Sequence, residues 1–378
     1  MTNSQTLIDD AKIIVIKIGS ALLFNPKSDG LQAAWMAGLA DDVAQLVKAG
    51  KQVILVSSGS IALGRDALGM PSGRIRLDEK QAAAATGQIM LAQAWNDSLK
   101  THNITSAQIL LAPDDTETRR KHLNARTTIQ TLLNYGCVPV VNENDTITTY
   151  EIRFGDNDRL AARVAAMMSA DLLILLSDID GLYDKNPRKY DDACHIPVIS
   201  ALTDDVMAMG EDANAEFASG GMATKLAAAR IATQAGVAMI ICDGQTTSPI
   251  AAIKQGANAS LFQAQMAPST ARKNWILSAL DVAGTIIIDQ GACAALKKGK
   301  SLLPAGVITI KGPFERGDLI DICDEDGTMI ARGLAGYASH EADKLKGQKS
   351  ALFEEIIGYD GRAELVHADD LVLVKSAR

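Results

Sequence analysis

Apolar positions along the chain fall into two kinds of pattern. Largely aliphatic runs recur at Ile13–Ile18 (IIVIKI), 53–56, 108–111, 138–141, 172–176 and 237–242. Runs of this length and β-branched content predict strands buried on both faces. Between them, apolar residues return every third or fourth position over 31–49, 79–100, 118–134 and 158–169. This spacing predicts helices, and Gly50 and Gly136 supply stops after the first and third. Residues 146–154 (TITTYEIRF) alternate like a hairpin. Residues 178–195 are polar and read as a surface loop, and 196–199 as a short strand. Alternation of buried strands with helices predicts an α/β fold, mainly a parallel sheet sandwiched by helices. Ligands in such folds sit at the carboxyl ends of the strands.

The pattern changes over 266–280, where Pro268, Arg272 and Lys273 break it. Short apolar runs at 285–288, 307–310, 319–322 and 371–374 follow, separated by glycines and prolines. They predict a small β-barrel-like domain. The expected organisation is a first domain over 1–268, a linker over 269–280 and a second domain over 281–378, in keeping with 378 residues.

Composition narrows the partners. The chain is 47% hydrophobic and 22% charged with a net charge of −8, an ordinary balance for a globular protein. The negative balance argues against general binding to nucleic acid or anionic membrane. Residues 281–378 carry 12 Lys and Arg against 16 Asp and Glu, which argues against RNA despite a local strip of Lys297, Lys298, Lys300 and Lys311. The five cysteines include no CxxC pair, which fits reduced thiols in the cytoplasm. The start, MTNSQTLIDD, is too polar for a signal peptide, and no apolar run reaches membrane-spanning length.

Several stretches carry candidate chemistry. Ser219–Lys225 reads SGGMATK ahead of an alanine-rich run that Gly236 closes. Paired glycines, a helix starting near Met222 and a lysine together suit a phosphate; the same letters also suit a plain loop before a helix. Lys17 interrupts a buried strand, so it either meets a ligand charge or snorkels at the sheet edge. SSGSIALGR (57–65) contains GxxxxG, but Arg65 and Asp66 stand where a Walker motif needs Lys and Ser or Thr, so that motif is rejected. NEND (142–145), GDND (155–158) and SDIDG (177–181) stand at strand or hairpin ends, and turns or helix caps also favour such residues. The five histidines show no pair with metal-ligand spacing.

Taken in order, VIKIGSALL, VSSGSIALG, VNEND, GDND, LLSDIDGLY and GGMATK resemble the amino-acid kinase family. SLLPAGV, GPFERGDLI, IARGLAGYAS and VHADDLVLV resemble a PUA domain. The likeness runs from about residue 11 to the C-terminus. It is greatest to the branch that phosphorylates the side-chain carboxylate of L-glutamate at the start of proline synthesis. The resemblance implies ATP and Mg2+ as cofactors, L-glutamate as substrate, proline as feedback inhibitor and a homo-oligomer, dimer or tetramer. It assigns Lys17 and Lys225 to the transferred phosphate, and Asp156 and Asp158 to organising the lysines and nucleotide. Ser58, Asp145 and Asn157 are assigned to glutamate. Ser177, Asp178, Ser219, Gly220, Gly221, Met222, Ala223 and Thr224 are assigned, with the two lysines, to ATP. Ser177 and Ser219 stand where many relatives have threonine, and both keep the hydroxyl.

Overall fold

The computed structural model describes residues 3–25, 30–71, 73–148, 157–210, 221–277 and 282–374. Two compact units divide the chain: residues 1–117 with 124–268, and residues 118–123 with 269–378.

The first unit is built on an eight-stranded sheet. Its strands in chain order are β1 (Ile13–Ile18), β2 (Gln52–Ser57), β3 (Ser106–Leu111), β4 (Val138–Glu143), β5 (Leu172–Ser177), β6 (Val198–Ile199), β7 (Ala238–Asp243) and β8 (Ala259–Phe262). They lie side by side as β6-β8-β7-β5-β1-β2-β4-β3. Every pair is parallel except β7 with β8. β1 therefore runs mid-sheet, hydrogen-bonded to β5 and β2, with Lys17 opposite Leu175 and Val56.

Alternation along β1 assigns its side chains to the two faces. Ile14, Ile16 and Ile18 join one core with Trp35, Leu39 and Trp95, from helices Ala33–Lys48 and Leu77–Lys100. Val15 joins the other, with Leu160, Val164, Leu226 and Ala229, from helices Asn157–Met168 and Met222–Gln234. Lys17 shares the parity of Val15, so it emerges beneath the latter two helices. The face of one buried strand thus decides which helices can supply its partner.

Tight backbone packing fixes the other layer. Helix Ser60–Ala67 lies against helix Leu77–Lys100 where two glycines meet the opposing main chain. A Cβ on Gly64 would fall 1.7 Å from Ala83 O, and one on Gly87 would fall 1.8 Å from Ser60 O. Gly59, at φ 111°, makes the left-handed turn from β2 into the first of these helices, a conformation that favours glycine.

The second unit holds a five-stranded mixed sheet of β9 (Gly284–Ile288), β10 (Val307–Lys311), β11 (Leu319–Cys323), β12 (Met329–Leu334) and β13 (Leu371–Leu373). The order is β10-β9-β11-β12-β13, with β9 and β11 parallel. Ile286, Ile288, Ile320, Ile322, Phe314 and Phe353 are among its buried core residues.

The structure departs from the sequence pattern in several places. The loop expected over 178–195 contains a two-residue strand, Leu182–Tyr183, paired with His195–Ile196. The strand expected over 196–199 is split between that pair and β6 by Pro197, which cannot donate a ladder hydrogen bond. Pro268 begins a helix, Pro268–Leu277, because proline suits a first helical turn. Helix Pro249–Lys254 and β8 add an antiparallel margin; the buried Asp42 carboxylate accepts from Ile250 N at 2.8 Å and Ala251 N at 3.3 Å. Of the hairpin expected over 146–154, residues 146–148 lie in a turn after β4, and the rest fall outside the described residues.

Gly87→Ala should destabilise the protein by about 2 kcal/mol, the usual cost of overpacking. Urea unfolding measures it, and an unchanged midpoint would show that the two helices do not need this contact.

Candidate active site

Lys17, in β1, and Lys225, in the first turn of helix Met222–Gln234, converge on one carboxylate. Lys17 Nζ lies 2.5 Å from Asp158 Oδ1, close but off the line of an aligned hydrogen bond. Lys225 Nζ donates to Asp158 Oδ2 at 3.5 Å. Thr224 Oγ1 donates within reach of two acceptors, Asp158 Oδ2 at 3.0 Å and Gly221 O at 2.8 Å. Asp158 is 1% exposed, Lys225 5% and Lys17 8%. Burial alone pushes the Asp158 carboxyl upward. The Lys17 and Lys225 charges, the close Lys17 contact and the Thr224 hydroxyl outweigh it and hold the group below its ordinary value. It is therefore an anion between two cations, and the trio keeps one positive charge in excess.

Local sequence explains each position. Asp158 falls in the first turn of helix Asn157–Met168, where an acidic side chain meets the positive end of the helix dipole. Lys225 is three residues into its helix, so its stem runs along the buried face with Leu226. Residues 211–220 lie outside the description, so Ser219 and Gly220 have no placement, and neither has Asp156. Gly221 is the N-cap, with Met222 and Ala223 opening the helix.

A second cluster lies at the end of the neighbouring strand. Asn157 Nδ2 donates within reach of Ser58 Oγ at 2.8 Å, Asn142 Oδ1 at 2.9 Å and Ser57 O at 3.3 Å. Asn142 Nδ2 donates to Gln88 Oε1 at 2.8 Å and Ser60 Oγ at 3.2 Å. Trp95 Nε1 donates to Ser57 Oγ at 2.9 Å. Ser58 and Asn157 are thus together, and Asn157 adjoins Asp158 in sequence. Asp145 lies in the turn of residues 144–148 after β4, where Ile147 N donates to Asn144 O at 3.2 Å.

Ser177 closes β5, the strand beside β1, and is buried. Asp178 follows it and reaches outward, with Arg188 Nη2 donating to its Oδ2 at 2.7 Å. Burial raises the Asp178 carboxyl, but its hydrogen bond and charge contact with Arg188 prevail and lower it. Sequence reading passed over Arg188, which sits in a polar loop with no pattern, and over Gln88 and Trp95, whose roles exist only through the turn they buttress. Asn142 belonged to a noted motif but carried no assigned role. Among the described residues no three His, Cys, Asp or Glu side chains group as a metal site.

Two family models match the two parts of the chain. A model of the amino acid kinase family matches residues 12–243, and a PUA domain model matches residues 284–357. A glutamate 5-kinase from Gluconobacter oxydans is 54% identical over 370 residues, 98% of either chain. Another, from Rhizobium rhizogenes, is 53% identical over 378 residues, 100% of this chain and 97% of its own. Among solved structures, carbamate kinase from Giardia lamblia bound to AMP-PNP covers 68% of this chain and 99% of its own at 19% identity, TM-score 0.48. UMP kinase from Ureaplasma parvum covers 67% of this chain and 98% of its own at 17% identity, TM-score 0.47. The chain belongs to the amino acid kinase family. Within it, the full-length likeness places the chain among the glutamate 5-kinases, with a PUA domain after the kinase domain.

Asp158→Asn should cost about 3 kcal/mol at neutral pH, since it removes the carboxylate charge on which both buried ammonium groups converge. The lowered carboxyl also sets a pH signature. Its stabilisation is complete above the unfolded value of about 3.9 and is lost as pH falls through the depressed folded value. Urea midpoints from about pH 3 to 6 should drop more steeply at the acid end for the parent protein than for the variant; parallel curves would contradict the pairing.

Proposed function

We propose that the chain transfers the γ-phosphoryl group of ATP to the side-chain carboxylate of L-glutamate, giving L-glutamyl 5-phosphate and ADP, the first step of proline biosynthesis. The observation that carries it is the pair of buried ammonium groups meeting at one carboxylate beside the Ser58 and Asn157 turn. The acceptor is an ordinary carboxylate with a reference pKa of about 4.3, already ionised at neutral pH, so no general base is required. The barrier to overcome is repulsion between anions. Two unit charges ~3.5 Å apart at an effective dielectric near 20 repel by roughly 5 kcal/mol. Two cations fixed in a buried site offset that without reorganising during the reaction.

In this reading Lys17 and Lys225 hold the phosphoryl group in transfer, Asp158 holds the lysines, and Thr224 holds Asp158. Asp156 shares that organising role. Ser58, Asp145 and Asn157 receive glutamate. Ser177, Asp178 and the stretch 219–225 receive the nucleotide. Magnesium accompanying ATP would rest chiefly on phosphate oxygens, since Asp158 is already committed to two lysines; an ion there adds neutralising charge. Proline inhibition and a dimeric or tetrameric assembly belong to the same proposal and rest on family likeness. Loss of initial rate at millimolar proline tests the former, and an unchanged rate would remove it.

Trapping with hydroxylamine, which converts an acyl phosphate to a hydroxamate, should give product with glutamate and little with aspartate or acetylglutamate. A different preferred acceptor would overturn the substrate. Lys17→Ala and Lys225→Ala should each lower turnover by about 100-fold or more, as removed oxyanion donors do; near-parent turnover in both would overturn the roles of the lysines.

A further inference from the structure

We infer that Gln88, assigned no role by sequence, is a positioning residue that helps set the hydrogen-bond polarity of the glutamate site. The inference rests on Ser58 and Asn157 being acceptor contacts, as proposed above.

The chain of bonds has one direction. Gln88 Oε1 can only accept, and it takes a proton of Asn142 Nδ2 at 2.8 Å. The second Asn142 Nδ2 proton goes to Ser60 Oγ at 3.2 Å. That orients the Asn142 amide so that its Oδ1 faces the other way and accepts from Glu143 N at 2.9 Å and Asn157 Nδ2 at 2.9 Å. Asn157 is thereby held with Nδ2 inward, also donating to Ser58 Oγ at 2.8 Å. Two groups are left over. Among the described residues, Asn157 Oδ1 has no protein donor, and the Ser58 hydroxyl, already accepting, keeps its own proton to give. The turn therefore offers one acceptor and one donor. An α-amino acid presents the complement, an ammonium that donates and a carboxylate that accepts.

Burial makes the polarity firm. Asn142 is 2% exposed, Ser60 2% and Gln88 9%, so water competes little for these bonds. Helix Leu77–Lys100 also grips the same turn at two adjoining points: Gly87 lets its backbone approach Ser60 O, and Trp95 bonds Ser57. Without the Gln88 acceptor, the Asn142 amide keeps the Glu143 N bond to its Oδ1 but loses the closer of its two Nδ2 partners, so its hold on Asn157 loosens. Asn157 then rests on Ser58 Oγ and Ser57 O with a weaker grip from Asn142, and its Oδ1 is set less firmly as the acceptor that the ligand ammonium needs.

Steady-state kinetics with Gln88→Met, which is close in shape but lacks the acceptor, tests this. The glutamate KM should rise about 10-fold, while the ATP KM and kcat stay within about twofold. Gln88→Glu keeps an acceptor facing Asn142 and should restore the glutamate KM to within about threefold. Gln88→Ala serves if the methionine variant does not fold, with the same direction expected. Asn157→Ala, measured alongside, separates the two levels. If it raises the glutamate KM and neither Gln88→Met nor Gln88→Ala does, this inference alone falls. If Asn157→Ala leaves the glutamate KM unmoved, the acceptor-site assignment falls and takes the inference with it. Equal rises for both substrates would mark Gln88 as a merely structural residue and overturn the inference.

Discussion

One buried carboxylate determines how this molecule can work. Without Asp158, Lys17 and Lys225 would lose the carboxylate on which both converge in a site from which water is largely excluded, a costly loss. With it, both lysines can be buried and the trio still keeps an excess positive charge. In the proposed reaction these two lysines meet the transferred phosphate. Thr224 adds a hydrogen bond to the same carboxylate oxygen that faces Lys225, so the anion cannot swing toward one cation and abandon the other.

The sheet brings these groups together by parity and register. Lys17 is the next residue after Val15 on its face of the central strand, and that face is covered by the two helices that begin with Asn157 and Met222. Both helices put their first turns over the carboxyl end of β1, so one contributes the acid and the other the second lysine. The opposite layer does different work. Helices Ser60–Ala67 and Leu77–Lys100 meet through glycines and brace the turn after β2, so the place proposed for glutamate is held by backbone packing and a buried amide relay rather than by exposed loops. The places proposed for the phosphoryl group and for the acceptor thus lie at neighbouring strand ends, joined by the helix that carries both Asn157 and Asp158.

Much of this was legible before any coordinates. A lysine inside IIVIKI is conspicuous because such runs are otherwise apolar, and SGGMATK advertises a helix start through its glycines. The strands of the main sheet announce themselves because burial on both faces leaves an unbroken apolar run. What escaped depends on partners distant in the chain. β12, MIARGL, contains Arg332 and Gly333 and becomes a strand through pairing with β11 and β13. β8 is four residues long and owes its place to β7. Pro268 looked like a break, yet a proline is also a good first residue for a helix. Gln88 and Trp95 look like ordinary occupants of a long helix, and only the approach of Ser57 and Asn142 gives them a role. Asp158 was visible as one letter of GDND, equally suited to capping a helix; family likeness, not spacing, tied it to the lysines.

The most direct measurement is a crystal structure of the protein with a non-hydrolysable ATP analogue and L-glutamate. The account requires Nζ of both Lys17 and Lys225 to lie ~3 Å from oxygens of the terminal phosphate, at hydrogen-bonding distance, with the glutamate side chain facing that phosphate. A terminal phosphate bound out of reach of either ammonium group, with both still closed on Asp158, would contradict it.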